Sequence, residues 1–242
     1  MLSESDTCFT QMADRFFTPD ALSIGDYTLK GSEAHHLSAV RRFGPGDQVI
    51  LFNGDGCEYP AEVISVGKKS AVLHIASILT PQRELNFPFV ISSALPKGDR
   101  ADFLVEKLTE LGVSRFIPLI AERSIVRPKE TIVEKYRRAV IEASKQCGRN
   151  KLMEVEPPCT LEDLIKRTDL PKACYLLHAD CTTFQIAKPV EGVTVAVGPE
   201  GGFTQGEIES ALAIGWQTLT LGPRVLRVET AALAAATLWG VG

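Results

Sequence analysis

The stretch VTVAVGPEGGFTQGEIESAL, residues 193–212, decides the fold of the second half of this chain. It begins with a continuous apolar run at 193–197, which is typical of a strand buried on both faces of a parallel sheet. The glycine-rich sequence GPEGG follows at 198–202, and Thr204 and Glu207 have the spacing of a capping box that starts a helix. A strand, a glycine turn and a helix in this order predict an α/β domain that binds a ligand at the carboxyl edge of its sheet.

Two common nucleotide-binding patterns do not fit this glycine turn. The turn lacks the Gly-Lys-Ser/Thr of a phosphate-binding loop, and Glu200 would repel a polyphosphate. Its glycine spacing also differs from Gly-x-Gly-x-x-Gly, which disfavours a dinucleotide-dependent oxidoreductase. On these residues alone, the turn either approaches a neutral or cationic ligand or serves only to reverse the chain.

A second stretch, LGPRVLRVETAALAAATLWG at residues 221–240, places an arginine-containing loop before a helix rich in alanine. Alanine permits close approach of neighbouring backbones, so we expect this helix to pack tightly. Glu229 stands in its first turn, where an acidic side chain complements the helix dipole. Taken singly, Arg227 is explained as a loop charge exposed to water.

Strands and helices alternate through the rest of the second half, which predicts an α/β domain on a mostly parallel sheet. Apolar runs predict strands at 88–95, 116–120 and 173–177 and near Leu219, and helical spacing predicts helices at 99–111 and 130–147.

The first half of the chain contains short strands joined by turn sequences such as Gly44-Pro45-Gly46-Asp47. One helix is predicted over SEAHHLSAVRR, with Ser32 as its cap. The patterns predict four segments: a disordered extension at 1–12, a small β-barrel at 13–79, a linker at 80–88 and the α/β domain at 89–242.

The overall charge first argues against a nucleic-acid partner, because the formal net charge is −4. The charge is unevenly distributed, however. Residues 87–150 carry twelve basic and eight acidic side chains, whereas the parts before and after each carry seven basic and eleven acidic ones. A basic middle segment therefore remains available for RNA phosphates.

The sequence also predicts a cytoplasmic protein without a metal site. No apolar run reaches the roughly 18 residues that a membrane span requires, and the polar, acidic amino terminus is unlike a signal peptide. The six cysteines contain no Cys-x-x-Cys pair, and the histidines have no ligand spacing. We therefore expect neither disulfides nor structural zinc.

Together, GPEGGF at 198–203 and LGPRVLRVETAALAA at 221–235 resemble the knotted SPOUT class of S-adenosylmethionine-dependent RNA methyltransferases. Two further stretches, KGDRADFLVEKLTELGVSRFIPLIAERS at 97–124 and EASKQCGR at 142–149, look like the family that methylates N3 of a uridine in 16S ribosomal RNA. RFF at 15–17, HHLSAVRR and the GPGD turn look like the amino-terminal PUA-like RNA-binding barrel of that family.

This resemblance covers about residues 13–242 and implies a fold, a cofactor and partners. The implied fold class is α/β, with a PUA-like β-barrel before a SPOUT-type methyltransferase domain tied in a trefoil knot. The cofactor would be S-adenosylmethionine without a metal. The partners would be the small ribosomal subunit with its 16S ribosomal RNA and a second copy of the chain in a homodimer, with no membrane.

The resemblance also implies site residues. The cofactor pocket would be lined by Leu177, His178, Gly198, Pro199, Glu200, Gly201, Gly202, Leu221, Gly222, Leu226, Arg227 and Thr230. Arg227 is our candidate for stabilising negative charge on the uracil carbonyls, and Glu229 is a weaker candidate for the general base. The clustered cations predict RNA contacts by Arg15, Arg41, Arg42, Arg123, Arg127, Arg138 and Arg149.

Alternatives stay open at this stage. The charges of the 130–147 helix are equally explained by a solvated face on which Glu134 pairs with Arg138, and Arg41 and Arg42 by the end of a helix. The chain as a whole also fits an RNA 2′-O-ribose methyltransferase of the same class. It further fits a non-catalytic RNA-binding ribosome assembly factor.

Overall fold

The structure is a computed structural model that describes residues 14–179 and 191–240. The predicted disordered extension at 1–12 lies outside the described residues. Contacts divide the chain into two compact units, Met1–Arg83 with Ser144–Lys151 and Glu84–Ala143 with Leu152–Gly242. The first unit thus includes Ser144–Lys151, which the sequence assigned to the α/β domain.

A five-stranded mixed sheet forms the centre of the first unit. Its strands are β1 Arg15–Phe17, β2 Gly25–Lys30, β3 Gln48–Phe52, β4 Tyr59–Val66 and β5 Ser70–Ile75. They lie in the order β1-β3-β4-β5-β2; β1 and β3 are parallel, and the other described pairs are antiparallel. Alternate side chains enter one core, so that Ala61 and Val63 are buried while Glu62 is exposed.

One short helix packs on this sheet, and it differs from the predicted one. Helix α1 spans Gly31–His35 and continues as a π-helical turn over His36–Val40. The predicted Ser32 cap is wrong, because the residue that precedes the helix is Lys30 and no side chain caps it. Gly31, with a φ of +68°, turns the chain one residue before Ser32.

A parallel sheet forms the centre of the second unit. Its described strands are β6 Phe89–Ser93, β7 Arg115–Ile120, β8 Glu154–Val155, β9 Cys159–Thr160, β10 Ala173–Leu177, β11 Val193–Val197 and β12 Gln217–Leu219. The order is β12-β10-β11-β6-β7-β8, with β9 beside β7, and the described pairs are parallel. Strands β8 and β9 have two residues each, too few to show a pattern in the sequence.

Helices cover both faces of this sheet, and their bounds are α2 Arg100–Glu110, α3 Ile132–Cys147, α4 Leu161–Ile165, α5 Gln205–Ala213 and α6 Val228–Gly240. Side chains of α2, α3 and α6 form one core, and those of α4 and α5 form the other. Successive strand residues point to opposite faces, so Val90 and Ile91 of β6 belong to different cores and are both fully buried.

Helix α6 packs tightly, as its alanines predict. Ala232, Ala235 and Ala236 are fully buried, and the helix lies against α2, β6 and β11. At its end, a Cβ atom on Gly240 would lie 2.2 Å from the carbonyl oxygen of Leu111. Small residues therefore set the distance between α6 and its neighbours.

The predicted linker at 80–88 contains neither a helix nor a strand. It is nevertheless anchored at its end, because Leu85 and Phe87 pack against the core of the second unit. A Cβ atom on Gly112, which ends α2 with a φ of +83°, would lie 3.4 Å from Leu85. The segment therefore packs on the α/β domain before β6 begins.

Candidate active site

Three adjacent strands end at the same level on one edge of the parallel sheet. Leu177, the last residue of β10, pairs with Val197 of β11 on one side and with Leu219 of β12 on the other. The loops after these strands start side by side, at the edge where open α/β sheets bind ligands. They surround a cavity of about 300 Å³, the lower end of the roughly 300–1,000 Å³ usual for small-molecule sites.

Ten of the twelve predicted cofactor residues line this cavity, namely Leu177, His178, Gly198, Pro199, Glu200, Gly201, Gly202, Leu221, Gly222 and Leu226. The other two, Arg227 and Thr230, have exposed side chains and do not line it. Sequence reasoning missed Arg123, Phe203 and Arg224, which do line the cavity. Arg224 and Phe203 belong to the two motifs, whereas Arg123 follows β7 and is brought to this edge by the order of the strands.

Each of two glycines in the middle loop has its own structural reason. A Cβ atom on Gly198 would lie 3.1 Å from the ring of Phe203, which is buried. Gly202 has a φ of +68°, a conformation that L side chains rarely adopt, and its N–H donates to the Pro199 carbonyl oxygen at 2.8 Å. Because this tight turn lines the cavity, its geometry favours the ligand-binding interpretation over chain reversal alone.

The middle loop enters helix α5 through the predicted capping box, which is confirmed. The Thr204 N–H donates to Glu207 Oε2 at 2.8 Å, and the Glu207 N–H donates to Thr204 Oγ1 at 3.3 Å. Reciprocal bonds of this kind satisfy N–H groups at a helix start and fix the residue where the helix begins. The loop is therefore held between the end of β11 and Thr204.

The third loop is closed by a side chain of its own. Thr220 Oγ1 donates to the Gly222 carbonyl oxygen at 3.1 Å, and Gly222 has a φ of +106°. Beyond this turn, Arg224 and Val225 are exposed, with 86% of Val225 accessible. The loop thus presents two cations, Arg224 and Arg227, and one large apolar side chain, Val225, to solvent beside the cavity.

Glu229 does not occupy the place of a general base. Its side chain is only 10% exposed, pairs with Arg100 Nη1 at 3.1 Å, and does not line the cavity. The carboxylate stands in the first turn of α6, where it complements the helix dipole. These contacts give the hypothesis of a general base no support, because the carboxylate is mostly buried, is paired with an arginine and does not line the cavity.

Two predicted RNA contacts, Arg15 and Arg149, are wrong because the residues are buried. The Arg15 side chain is 7% exposed, pairs with Glu58 and donates to the Arg149 carbonyl oxygen at 3.2 Å. Arg149 itself is 4% exposed. A guanidinium enclosed in this way is not displayed to a phosphate group in solution.

The other two candidates of the first unit remain at its surface. Arg41 forms an ion pair with Asp14, and its N–H donates to the His36 carbonyl oxygen at 2.9 Å, so it closes the π-helical turn. Arg42 is exposed and has a φ of +60°. Both guanidinium groups are accessible, which leaves an RNA contact as a proposal beside the helix-end role.

The candidates of the second unit are exposed, but their contacts differ from the expected ones. On α3, Glu134 pairs with Arg137 at 2.6 Å, whereas the sequence predicted Arg138. Arg138 is exposed, and Arg127 donates to the Glu122 carbonyl oxygen at 3.4 Å. Arg123 lines the cavity and donates through Nη1 to the Gly201 carbonyl oxygen at 2.8 Å.

Two family models match this chain. The model of an RNA methyltransferase domain matches residues 83–240, and the model of an RNA methyltransferase PUA domain matches residues 29–76. The first match contains the cavity and its three loops. The second lies within the mixed sheet of the first unit.

Relatives with a shared name match most of this chain. Ribosomal RNA small subunit methyltransferase E of Bacillus subtilis is 32% identical over 223 residues, which cover 86% of this chain and 87% of that protein. The protein of the same name from Synechocystis is 30% identical over 239 residues, 94% of this chain and 77% of the relative. A crystal structure of the Neisseria gonorrhoeae protein of that name, bound to S-adenosyl methionine, is 33% identical, has a TM-score of 0.85 and covers 94% of this chain and 98% of its own.

These matches confirm the predicted fold class, an α/β methyltransferase domain of the SPOUT class preceded by a PUA-like domain. The predicted trefoil knot depends on a chain path that includes residues 180–190, which lie outside the described residues. Within the described ranges, no helix is both long and apolar enough to span a bilayer.

Proposed function

This chain belongs to the ribosomal RNA small subunit methyltransferase E family, and we propose that it transfers a methyl group from S-adenosylmethionine to N3 of a specific uridine in 16S ribosomal RNA. The observation that carries the proposal is the cavity at the level ends of β10, β11 and β12, which ten of the twelve predicted cofactor residues line. The relative from Neisseria gonorrhoeae binds this cofactor.

The cavity has the properties that an adenosyl group with an amino-acid tail requires. Leu177, Leu221 and Leu226 offer apolar surface for a flat base, and the 198–202 turn offers backbone groups at close range. Glu200 lines the same cavity, and a carboxylate tolerates a cationic ligand while it repels a polyphosphate. The residues present therefore fit S-adenosylmethionine.

S-adenosylmethionine, when bound, supplies an activated methyl group, so the protein has mainly to align donor and acceptor. The N3 proton of uridine must also pass to solvent water, and its loss places negative charge on the uracil carbonyls. A fixed cation next to those oxygens lowers the barrier. We assign this role to Arg227, because its side chain is exposed and both of its neighbours in the sequence, Leu226 and Val228, line the cavity.

The experiment is a single-turnover methylation assay on 16S ribosomal RNA and on small subunits, with mass spectrometry of the nucleosides. Arg227→Ala should lower the rate about 100-fold, the usual scale for one lost charge-stabilising group, while calorimetry shows S-adenosylmethionine binding retained. An unchanged rate would remove Arg227 from the mechanism. A 2′-O-methyl product, or a wild-type protein that binds no cofactor, would favour the ribose enzyme or the assembly factor respectively.

We further propose that the protein acts in the cytoplasm as a homodimer on the assembled small subunit. Exposed apolar side chains of the second unit, Phe103, Val225 and Leu238, supply surface that a second copy would cover. Arg41, Arg42, Arg127 and Arg138 are the exposed cations that remain as proposed RNA contacts. Light scattering measures the mass, and a monomer at micromolar concentration would refute the dimer.

A further inference from the structure

The turn that follows β7 holds the middle loop of the cavity at two points. At the first point, Arg123 Nη1 donates to the Gly201 carbonyl oxygen at 2.8 Å. At the second point, the Glu122 N–H donates to Glu207 Oε1 at 2.9 Å, and Thr204 Oγ1 donates to Glu122 Oε2 at 3.3 Å. Arg123 thus holds the loop at its centre, and Glu122 holds it where α5 begins.

The turn itself is rigid enough to serve as an anchor. The Ser124 N–H donates to the Ala121 carbonyl oxygen at 3.0 Å, and the Ala121 N–H donates to Ser124 Oγ at 2.9 Å. Ala121 is buried in the core shared with α4 and α5. The backbone that carries Arg123 is therefore fixed by packing and by two local hydrogen bonds.

The side chain of Arg123 explains why position 201 is a glycine. Gly201 does not have a positive φ, so the left-handed conformation does not require glycine at this position. A Cβ atom there would lie 3.3 Å from Cδ and 3.4 Å from Cβ of Arg123. The stem of Arg123 occupies the place of the missing side chain, and its guanidinium bonds to the carbonyl group of the same residue.

We propose that Arg123 is a positioning residue for cofactor binding: it fixes the 198–202 turn by holding the Gly201 carbonyl group and by packing on the Gly201 Cα. The inference rests on the proposed function, since it assumes that this turn binds S-adenosylmethionine. It also replaces the predicted role of Arg123 as a phosphate contact.

The first test compares Arg123→Gln and Arg123→Lys with Arg137→Gln, a control that removes an exposed arginine of α3 whose partner is Glu134. Calorimetry should show S-adenosylmethionine binding about tenfold weaker for Arg123→Gln, the scale of one lost charge-assisted hydrogen bond. Arg123→Lys keeps a charged donor and should lose less than about threefold. Arg137→Gln should bind as the wild type does.

A second readout does not depend on the cofactor. Hydrogen exchange of the free protein should be faster at the amides of 201–203 in Arg123→Gln than in the wild type, and equal in Arg137→Gln. The Gly202 N–H, which donates to Pro199, is the most informative amide because it closes the turn. The thermal midpoints of the three proteins should agree, because Arg123 is exposed and lies outside the core.

A double-mutant cycle with Gly201→Ala tests the packing part of the proposal. Gly201→Ala alone should weaken cofactor binding, because its methyl group presses on the Arg123 stem. Arg123→Ala removes that stem beyond Cβ, so the double variant should bind no more weakly than the weaker single variant. Strictly additive losses would show that the two residues act independently and would overturn the proposal.

The outcomes separate this inference from the proposed function. If wild-type protein does not bind S-adenosylmethionine, the proposed function fails, and the hydrogen-exchange comparison still decides whether Arg123 fixes the turn. If Arg123→Gln keeps both wild-type affinity and wild-type exchange rates, the inference fails alone. An Arg123→Gln enzyme with unchanged cofactor affinity and a raised KM for RNA would return Arg123 to the phosphate contacts.

Discussion

The two units contain the same kind of charge cluster, a glutamate between two arginines, in opposite surroundings. In the first unit Glu58 is fully buried, and it contacts both Arg15 and Arg83. The donors that remain on the arginines reach backbone carbonyl groups, Arg83 that of Gly148 at 2.8 Å and Arg15 that of Arg149 at 3.2 Å. This cluster has one more cation than anion, and its arginines also donate to two backbone carbonyl oxygens and to Asn150 Oδ1.

In the second unit Glu156 contacts Arg115 and Arg167, and Asp169 joins them. The two cations and two anions balance, and 53% of the Asp169 side chain is exposed to solvent. Arg115 Nη1 donates to Asp169 at 2.6 Å and to Glu156 at 3.1 Å. The same residue types here form a network at the edge of the sheet that opens to solvent at Asp169.

The difference teaches that burial, and not residue type, sets the energy of such a cluster. Removing water from Glu58 and Arg15 costs free energy that their contacts must offset, so each depends on its partners. Burial also lowers the pKa of Arg15, with the Glu58 carboxylate opposing that shift. Asp169, at the exposed end of the second network, keeps much of its hydration, so its own contribution to net stability is small.

Breaking the buried cluster should have the largest effect. Glu58→Gln leaves Arg15 and Arg83 without their anion, and we expect a loss of about 3–5 kcal/mol in the free energy of unfolding of the first unit. Both tryptophans, Trp216 and Trp239, lie in the second unit. Urea unfolding should therefore show an early transition by circular dichroism that tryptophan fluorescence does not follow.

The matched control for this change is Glu62→Gln. Glu62 is exposed on β4, four residues from Glu58, and its carboxylate lies 3.4 Å from the amide nitrogen of Gln48. Its substitution should change stability by no more than about 0.5 kcal/mol. If both variants lose equally little free energy of unfolding, burial does not make the Glu58 cluster more costly to break than an exposed contact. The contrast between the two units then disappears.

Straining the backbone beside the Glu58 cluster should lower stability by less than removing its anion does. Gly148 has a φ of +82°, and its carbonyl oxygen accepts from Arg83. Gly148→Ala keeps every charge but strains the left-handed backbone, for an expected loss of about 1–2 kcal/mol. Gly206→Ala on α5 is the control: nothing lies within 4 Å of its added Cβ, so it should gain about 0.5–1 kcal/mol. Equal effects in urea unfolding would contradict the conformational explanation.

Local patterns in the sequence predicted most of the fold. The Val193–Val197 run, the capping box of Thr204 and the alanines of α6 each report their own surroundings, because burial on two faces, a helix start and close packing demand those residue types. The ends of α1 were mispredicted, since the positive φ of Gly31 starts the helix before Ser32. The sequence pattern does not show whether the helix starts at Gly31 or after Ser32, because both residues are small and common at helix starts.

The site could be predicted only as far as it lies within contiguous motifs. Two of the three loops were found because they contain motifs, GPEGGF at 198–203 and LGPRVLRVETAALAA at 221–235. The loop after β10 was assigned only through the family resemblance. Arg123 was assigned to RNA because the sequence shows a cluster of cations there. Its partner Gly201 is 78 residues away, and no local pattern reveals that contact. Arg15 was likewise assigned to RNA, since no local pattern shows that its partners Glu58 and Arg149 lie 43 and 134 residues away in the sequence. Counting charges along a chain does not show which cations meet a carboxylate in the core.

The stability that Asp169 contributes to the second network should depend on pH, and its hydrogen bonds determine the direction of that dependence. Hydrogen bonds from Arg167, and then from Arg115, hold the pKa of Asp169 well below its usual value, against the opposing effect of desolvation. A carboxyl group whose pKa is lower in the folded state stabilises the fold above its unfolded pKa of about 3.9. That contribution is lost as the pH falls below about 4 towards the folded pKa.

Asp169→Asn tests this smallest effect. Because the side chain is half-exposed, the variant should lose less than about 1 kcal/mol at pH 7 and low salt. The gap to wild type in urea unfolding should narrow between pH 4 and pH 2, since the Asp169 carboxylate of the unfolded wild-type chain becomes protonated there while that of the folded chain stays ionised. At pH 7, 1 M NaCl should also reduce the gap. The loss from Glu58→Gln should persist in the same salt, because ions do not screen a buried pair to the same extent. If the Asp169→Asn gap stays constant across pH and salt, the carboxylate does not act through its charge, and the two clusters do not differ in the way that their burial implies.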